Sequence, residues 1–445
     1  MNSTELTEEA LMSGIRRSAA VLAAASLLVA GCGTGAPQGD PNAPLEVWTR
    51  SLDDTAKVYE KIFADFTAKT GIKIDYKPVY NDFDKRMQER AASKDLPDLV
   101  VTDVSALGVY QSQGMATEID RAGFAGGADL VERAWGNAKG SDGKYYGVPI
   151  STQAQATFIR KDWREKLGKP VPTTWAEMVD LAKAFTTGDP DGNGQADTYG
   201  MLVPGSTDRG YLAWWASSYI WQAGGDILAE DGGKYRVAVD SPGTVAAVEW
   251  LRGMFCESKV VQPGALTTIT NDAHTFFEQG KAGIYLTGPY MMGRFDKAPG
   301  KDKYEVIASP KGPNGSAVLG EGENMYLMAG SARPADQKKL AEFLVSPDAQ
   351  KAGMQGVPRP VVRLPVNTKV DVNAVYNDPR WSTVAKVYAD DARPFPNVPN
   401  FQPFRQQTAE TLNALFARCG SDVRGELGKL AANLNKELKA QGIAK

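Results

Sequence analysis

Among 445 residues there is a single histidine, His274. Zinc sites built from several histidines, and the paired histidines of metalloprotease helices, are therefore excluded. A Ser–His–Asp hydrolase would have to be built around His274 alone. Lying between Asp272 and Phe277 near a helix start, that residue reads as a capping or surface histidine. Glu321 and Glu323, in Gly-Glu-Gly-Glu-Asn324, have the residue type of a glycosidase acid–base pair. A solvated loop, or acceptors for the hydroxyls of a ligand, explains them with fewer assumptions. Asp189, Asp191, Asn193, Gln195 and Asp197 follow the oxygen spacing of a calcium loop, with Gly194 at its sharp turn. Gly200 stands where such a loop needs its bidentate Glu, so a weak structural calcium site and an ion-free Asx turn both stay open.

Charge and composition narrow the remaining classes. Lys plus Arg number 50 and Asp plus Glu 53, a net charge of −3, which provides no electrostatic footprint for nucleic acid. At 42% hydrophobic and 23% charged, the chain is of the folded globular kind. Its first 31 residues read as a leader: Arg16 and Arg17, the small apolar run Ser18–Ala30, then Val-Ala-Gly-Cys32. The run is shorter than the ~20 residues that span a bilayer. Its end resembles the bacterial lipobox, which implies lipidation of Cys32 as the mature N-terminus. Translation from Met12 would omit the acidic stretch before Arg16. Residues 32–44, rich in Gly, Pro and Ala, read as a tether. The remaining cysteines, Cys256 and Cys419, are either a disulfide of an exported protein or two separate buried thiols.

The elements beyond the tether alternate between strand and helix. Leu45–Thr49 reads as a buried strand; the helix over 55–70 puts Val58, Ile62, Phe63 and Phe66 on one face and stops at Gly71. Ile72, Ile74 and Tyr76 mark a half-buried strand, residues 83–93 a helix, and Asp98–Thr102 another buried strand. Further on, Thr174-Trp-Ala-Glu177 is a capping box, Ser241-Pro242 opens a helix, and Leu427, Leu430, Leu434 and Leu438 face one side of a last one. Such alternation predicts an α/β fold with a mostly parallel sheet.

Several segments in order resemble the extracellular solute-binding proteins of ABC importers, of the maltose-binding-like (family 1) kind. They are Leu45-Glu-Val-Trp48, Phe66-Thr-Ala-Lys-Thr-Gly-Ile-Lys-Ile74 and Leu96-Pro-Asp-Leu-Val-Val-Thr-Asp103. Gly147-Val-Pro-Ile-Ser151, Pro172-Thr-Thr-Trp-Ala-Glu177 and the run Phe277–Tyr290 complete the set. The resemblance implies a periplasmic-binding-protein-like type II fold, two discontinuous α/β lobes around a ligand cleft. One lobe would take 45–152 and 306–350, the other 153–305 and 351–445. It further implies a monomeric, non-enzymatic binder that needs no cofactor, anchored by lipid to the outer face of the cell membrane, handing a sugar to an ABC permease.

A sugar needs aromatic faces and convergent polar groups. Strand ends supply Trp48, Ser51, Asp53 and Asp103, and the resemblance adds Tyr80, Asp82 and Gln153. Trp214 or Trp215 and Tyr290 would stack; Glu321, Glu323 and Asn324 lie in the return loop, and Phe404 and Arg405 just beyond the late cleft-edge loop 393–401. Trp175 and Trp250 fall on helical stripes and belong to the core. Relatives carry an aromatic where Arg405 stands, which argues against a plain maltodextrin. Two other readings stay open: a secreted carbohydrate-active enzyme or sugar sensor, and a binder of a glycerol-phosphate-type anion clamped by Arg50, Arg359, Arg363 or Arg405.

Overall fold

The computed structural model describes Asp40 and residues 42–445, Pro358 excepted. The leader, Cys32 and the tether as far as Gly39 lie outside the described residues. Strand β1 (Leu45–Thr49) is nearly all apolar or β-branched and almost wholly buried. It pairs in parallel with β2 (Ile74–Pro78) on one side and β3 (Leu99–Asp103) on the other. The first crossover is the helix Asp53–Thr70, which buries Val58, Ile62, Phe63 and Phe66 as their spacing predicts. It ends at Gly71 with φ 75°, a left-handed conformation that glycine adopts without strain.

Strand β4 (Val148–Ala154) closes the first sheet, and after Gln155 alone β5 (Ala156–Arg160) opens the second. The second sheet gains β6 (Tyr199–Leu202), while β7 (Leu228–Asp231) and β8 (Lys234–Val237) form a separate hairpin. With β9 (Ala282–Thr287) and β10 (Tyr304–Ile307) its order is β10-β5-β9-β6. Strand β11 (Val318–Leu327) then returns to the first sheet, antiparallel to both β3 and β4, and β12 (Ala392–Arg393) pairs with its first two residues.

Each sheet has its own core. The first gathers Leu45, Phe66, Leu99, Trp135, Met325 and Leu340; the second gathers Phe158, Phe185, Trp215, Leu251, Phe404 and Leu434. Helix signals hold at the residue level. Thr174 Oγ1 accepts from the Glu177 backbone N–H and Glu177 answers at the Thr174 N–H, which completes the capping box. Cys256, ending the helix Pro242–Cys256, is joined by a disulfide to Cys419, beyond the helix Gln402–Ala417.

Two expectations need correction. The mostly parallel arrangement holds only in the first sheet, where β1, β2, β3 and β4 share one direction and β11 with the short β12 runs against them; in the second, β6 and β9 are parallel but β5 is antiparallel to both β9 and β10. The lobe boundaries also shift. Tyr304–Ile307 pairs with β5, so it belongs to the second sheet although the expected boundary fell inside it at 306. Met354, Val361, Val362, Val366 and Val370 pack in the first core, so the chain beyond 350 does not pass at once to the second lobe. Apolar periodicity marks these residues as buried but cannot say in which of two cores.

Candidate functional site

The two sheets meet around a cavity of about 130 Å³ lined from both sides. From the first come Arg50 just after β1, Asp103 at the end of β3, Gln153 on β4, and Glu321 and Glu323 on β11. Register fixes two of these contacts, because Glu321 stands opposite Gln153 and Glu323 opposite Asp103. Gln153 Nε2 donates to Glu321 Oε1 at 3.0 Å. From the second lobe come Arg209, Tyr211 and Trp214 at the start of the helix Tyr211–Gln222, His274 on the helix Thr270–Glu278, Tyr290, and Arg405. Trp214 Nε1 donates to Glu321 Oε2 at 3.1 Å, so one carboxylate is held by strand and helix together.

Gly210 shows how tightly this wall is built. Its φ is 71°, and a Cβ there would meet Arg405 Cγ at 2.6 Å. The Arg405 Nε donates to the Gly210 carbonyl at 3.2 Å. Any larger residue would displace both the turn and the guanidinium.

Charge in the cavity is unevenly matched. Arg50 pairs with Asp103 at 3.2 Å and Arg363 with Glu323 at 2.8 Å. Burial alone would raise the Asp103 carboxyl, but Arg50, helped by Arg209 and Arg405, holds it below its usual range. Glu321 goes the other way, raised by burial and by neighbouring Asp103. Arg405 is pushed down to about 10 by burial and by Arg209. His274 is driven well below 6.5 by burial and by Arg359 and Arg294. Its Nδ1 lies 3.2 Å from Tyr285 Oη, and its side chain is 1% exposed. This corrects the surface or capping reading: the helix turns His274 inward onto the cavity wall.

Arg50 Nε, Arg359 Nε, Arg363 Nε, Gln153 Oε1 and Thr270 Oγ1 are buried with no hydrogen-bond partner in the protein, and all five residues line this cavity. Buried polar groups are almost always satisfied, so such concentrated spare capacity marks a place for a polar ligand.

Three larger chambers adjoin the cavity. One of about 540 Å³ shares Arg50, Tyr80, Arg209 and Tyr211 with it, and one of about 400 Å³ shares Glu321 and Arg405. The latter is walled by Trp221, Phe395 and the 393–398 loop. The third, of about 300 Å³, shares Asp103, Arg209 and Arg405. Contacts close the lobes over the cavity: Arg209 Nη2 to Asp84 Oδ2 at 2.8 Å and Asn271 Nδ2 to Tyr80 Oη at 3.2 Å.

Of the residues read as ligand-binding, Tyr80, Asp103, Gln153, Trp214, Tyr290, Glu321, Glu323 and Arg405 are brought together here. Asp82 lines only the outer 540 Å³ chamber. The others do not reach the cavity. Strand alternation sends Trp48 to the opposite side, where it packs with Phe83 and Met87, donates to Glu46 and lies under Arg90. Ser51 is taken up by Thr49 Oγ1 at 2.7 Å, and Asp53 lies exposed in the first helical turn. Trp215 faces the core at 0% exposure, one residue round the helix from Trp214 at 6%. A bulge after Glu323 turns Asn324 inward, where it donates to the Asn137 carbonyl, and Phe404 is core.

Sequence reasoning did not place Arg209, Tyr211, Thr270 or Asn271 at the site. Their only signal was position at a helix start facing the other lobe, which the sequence does not display. Arg50, Arg359, Arg363 and Arg405, candidates for an anion clamp, all line the one cavity.

The loop 189–197 uses its oxygens internally. The Asp189 carboxylate accepts from the backbone N–H groups of Gly192, Asn193 and Gly194, and Asn193 Nδ2 donates to Asp191 and Asp197. Gln195 donates its N–H to Asn193 Oδ1 at 2.7 Å, and Lys281 pairs with Asp197. Among the described residues no group of three or more His, Cys, Asp or Glu side chains converges on a metal position.

Two α/β lobes around a polar, aromatic-walled cavity define a two-lobed ligand-binding protein of the type II periplasmic arrangement. The chain belongs to the family of bacterial extracellular solute-binding proteins, whose model matches residues 50–351. Binding proteins of three Brucella strains are 26% identical over 280 residues, 62% of this chain. The match spans 64% of those relatives' own length, just under two thirds. A fructooligosaccharide ABC transporter substrate-binding protein of Streptococcus pneumoniae is 23% identical over 77% of this chain and 69% of its own. An ABC transporter solute-binding protein of Thermotoga lettingae, solved with alpha-D-tagatose, superposes with a TM-score of 0.78 at 20% identity, covering 89% of this chain and 99% of that one. Among the described residues no helix is long and apolar enough to cross a membrane.

Proposed function

We propose that the protein captures a carbohydrate between its lobes and hands it to an ABC importer, from the outer face of a bacterial membrane to which lipid on Cys32 tethers it. The observation that carries this reading is the cavity itself. Tyr211, Trp214 and Tyr290 offer ring faces, while unspent donors and acceptors from both lobes converge on the same space. A ligand touching both walls stabilises the closed arrangement over an open one by its differential contacts. The relatives' sugar ligands and the sugar-transport role of the streptococcal relative point the same way. Chambers on more than one side leave room for further sugar units beyond the central ring.

A binding role, rather than hydrolysis, is supported by how the carboxylates are used. Glu323 is tied to Arg363 and accepts from Tyr59 Oη at 3.1 Å, while Glu321 accepts from Gln153 and Trp214. Both carboxylates are thus engaged by protein donors, as acceptors in a binding wall are.

The test is thermal unfolding against a panel of mono- and oligosaccharides, followed by recovery of the sugar. A ligand at 100 times its Kd adds about 2.7 kcal/mol, a plain rise in midpoint. The expected result is a shift with one sugar class and its return unchanged, with calcium and chelator runs coinciding. Consumption of the sugar would contradict the binding reading.

A further inference from the structure

We propose that the carbohydrate this cleft takes is acidic, and that Arg359 receives its carboxylate or phosphate; the inference rests on the carbohydrate-binding reading above and names the class of sugar. Five guanidinium groups line the cavity against three carboxylates. Three of the five are matched: Arg50 by Asp103, Arg363 by Glu323, and Arg209 by Asp84. Arg359 and Arg405 have no carboxylate within ion-pair distance among the described residues.

Arg405 is partly provided for, because it donates to the Gly210 carbonyl and Glu321 is among the charges that act on it. Arg359 has much less. Its Cζ lies 5.3 Å from the Tyr290 ring centroid, and its Nε is buried without a hydrogen-bond partner. Burial and neighbouring Arg363 both press its charge down. Its field also helps keep His274 neutral.

A half-buried cation without a counter-ion is costly, and a neutral sugar would leave it so, since hydroxyls bring no charge. A carboxylate or phosphate presents two oxygens to the planar guanidinium fork and supplies the charge as well. The central volume of about 130 Å³ asks for a small group here, with any remaining sugar units in the adjoining chambers.

The experiment is calorimetric titration of the full protein with matched probes. These are D-galacturonate and D-glucuronate for the carboxylate, D-glucose 6-phosphate for the phosphate, and D-galactose and D-glucose as neutral counterparts. The inference expects at least one acidic probe to bind about tenfold or more tightly than its neutral counterpart. Which arm responds tells carboxylate from phosphate. R359Q should erase that preference, and R359K, which keeps the charge but loses the fork, should retain part of it. The midpoint of unliganded R359Q should be no lower than that of the parent, since an unmatched charge has been removed. Neutral sugars binding as well as their acids would overturn the inference and leave the carbohydrate reading standing. An acid preference that survives in R359Q would overturn the assignment to Arg359. Failure of every probe to bind would count against both.

Discussion

Trp214 and Trp215 separate binding from stability within one dipeptide. Trp214 presents its ring to the cavity and its Nε1 to Glu321, so Trp214→Ala should weaken carbohydrate binding by roughly 10- to 100-fold while the fold survives. Trp215 is core and packs on Tyr219 at 5.0 Å between centroids. Trp215→Ala should cost about 3–5 kcal/mol of stability. Titration calorimetry on one and denaturant unfolding on the other check the split. His274 gives a pH prediction. Its folded pKa is depressed below the 6.5 of the free side chain, so folding favours the neutral ring. That contribution is present above pH 6.5 and is lost as pH falls below it towards the folded value. Stability should therefore decline on acidification from 6.5, and H274Q should flatten that part of the curve, read by urea midpoints at a series of pH values. The sequence showed the residue types here and not their facing. Trp48 and Trp214 look alike in a string, yet the pleat sends one to a helix-covered face and the arrangement of two lobes brings the other to the ligand.

At the scale of elements, local chemistry was legible wherever a boundary depends on neighbours in sequence. Gly71, the Thr174–Glu177 box and Ser241-Pro242 all act where expected. What escaped was the handling of strands that pass between lobes, because β4, β5, β10 and β11 are largely apolar runs whose pairing partners lie far away in sequence. The disulfide ties such distant segments, closing a loop with a sequence separation of 163. Replacing both cysteines by serine should lower stability by about 2–5 kcal/mol, since a long closed loop restricts the unfolded chain most. Unfolding of C256S/C419S against the parent reads this directly. Cys256 ends one second-lobe helix and Cys419 lies in the turn after another, and neither lines the cavity, so affinity for the ligand should stay near the parent value at temperatures where the variant is folded.

For the whole molecule, the two-lobed architecture was legible through the order of its motifs, whereas the exchange of segments between cores was not. Met354, Val361, Val362, Val366 and Val370 pack in the first core, while Leu364 among them already packs in the second. Composition and periodicity report burial, and only the tertiary structure says which lobe does the burying. Closure over the cavity is held in part by Arg209–Asp84, a pair partly open to solvent. D84A should therefore weaken ligand binding only about two- to fivefold, within the range of an exposed ion pair, and more at low salt than at high. The central claim is that a carbohydrate is captured by closing two lobes around it. It is tested most directly by small-angle X-ray scattering of the purified protein, with and without the carbohydrate that raises its melting midpoint most. The account predicts a radius of gyration that falls on saturation as an opened cleft shuts. A scattering curve unchanged at saturating ligand would contradict it.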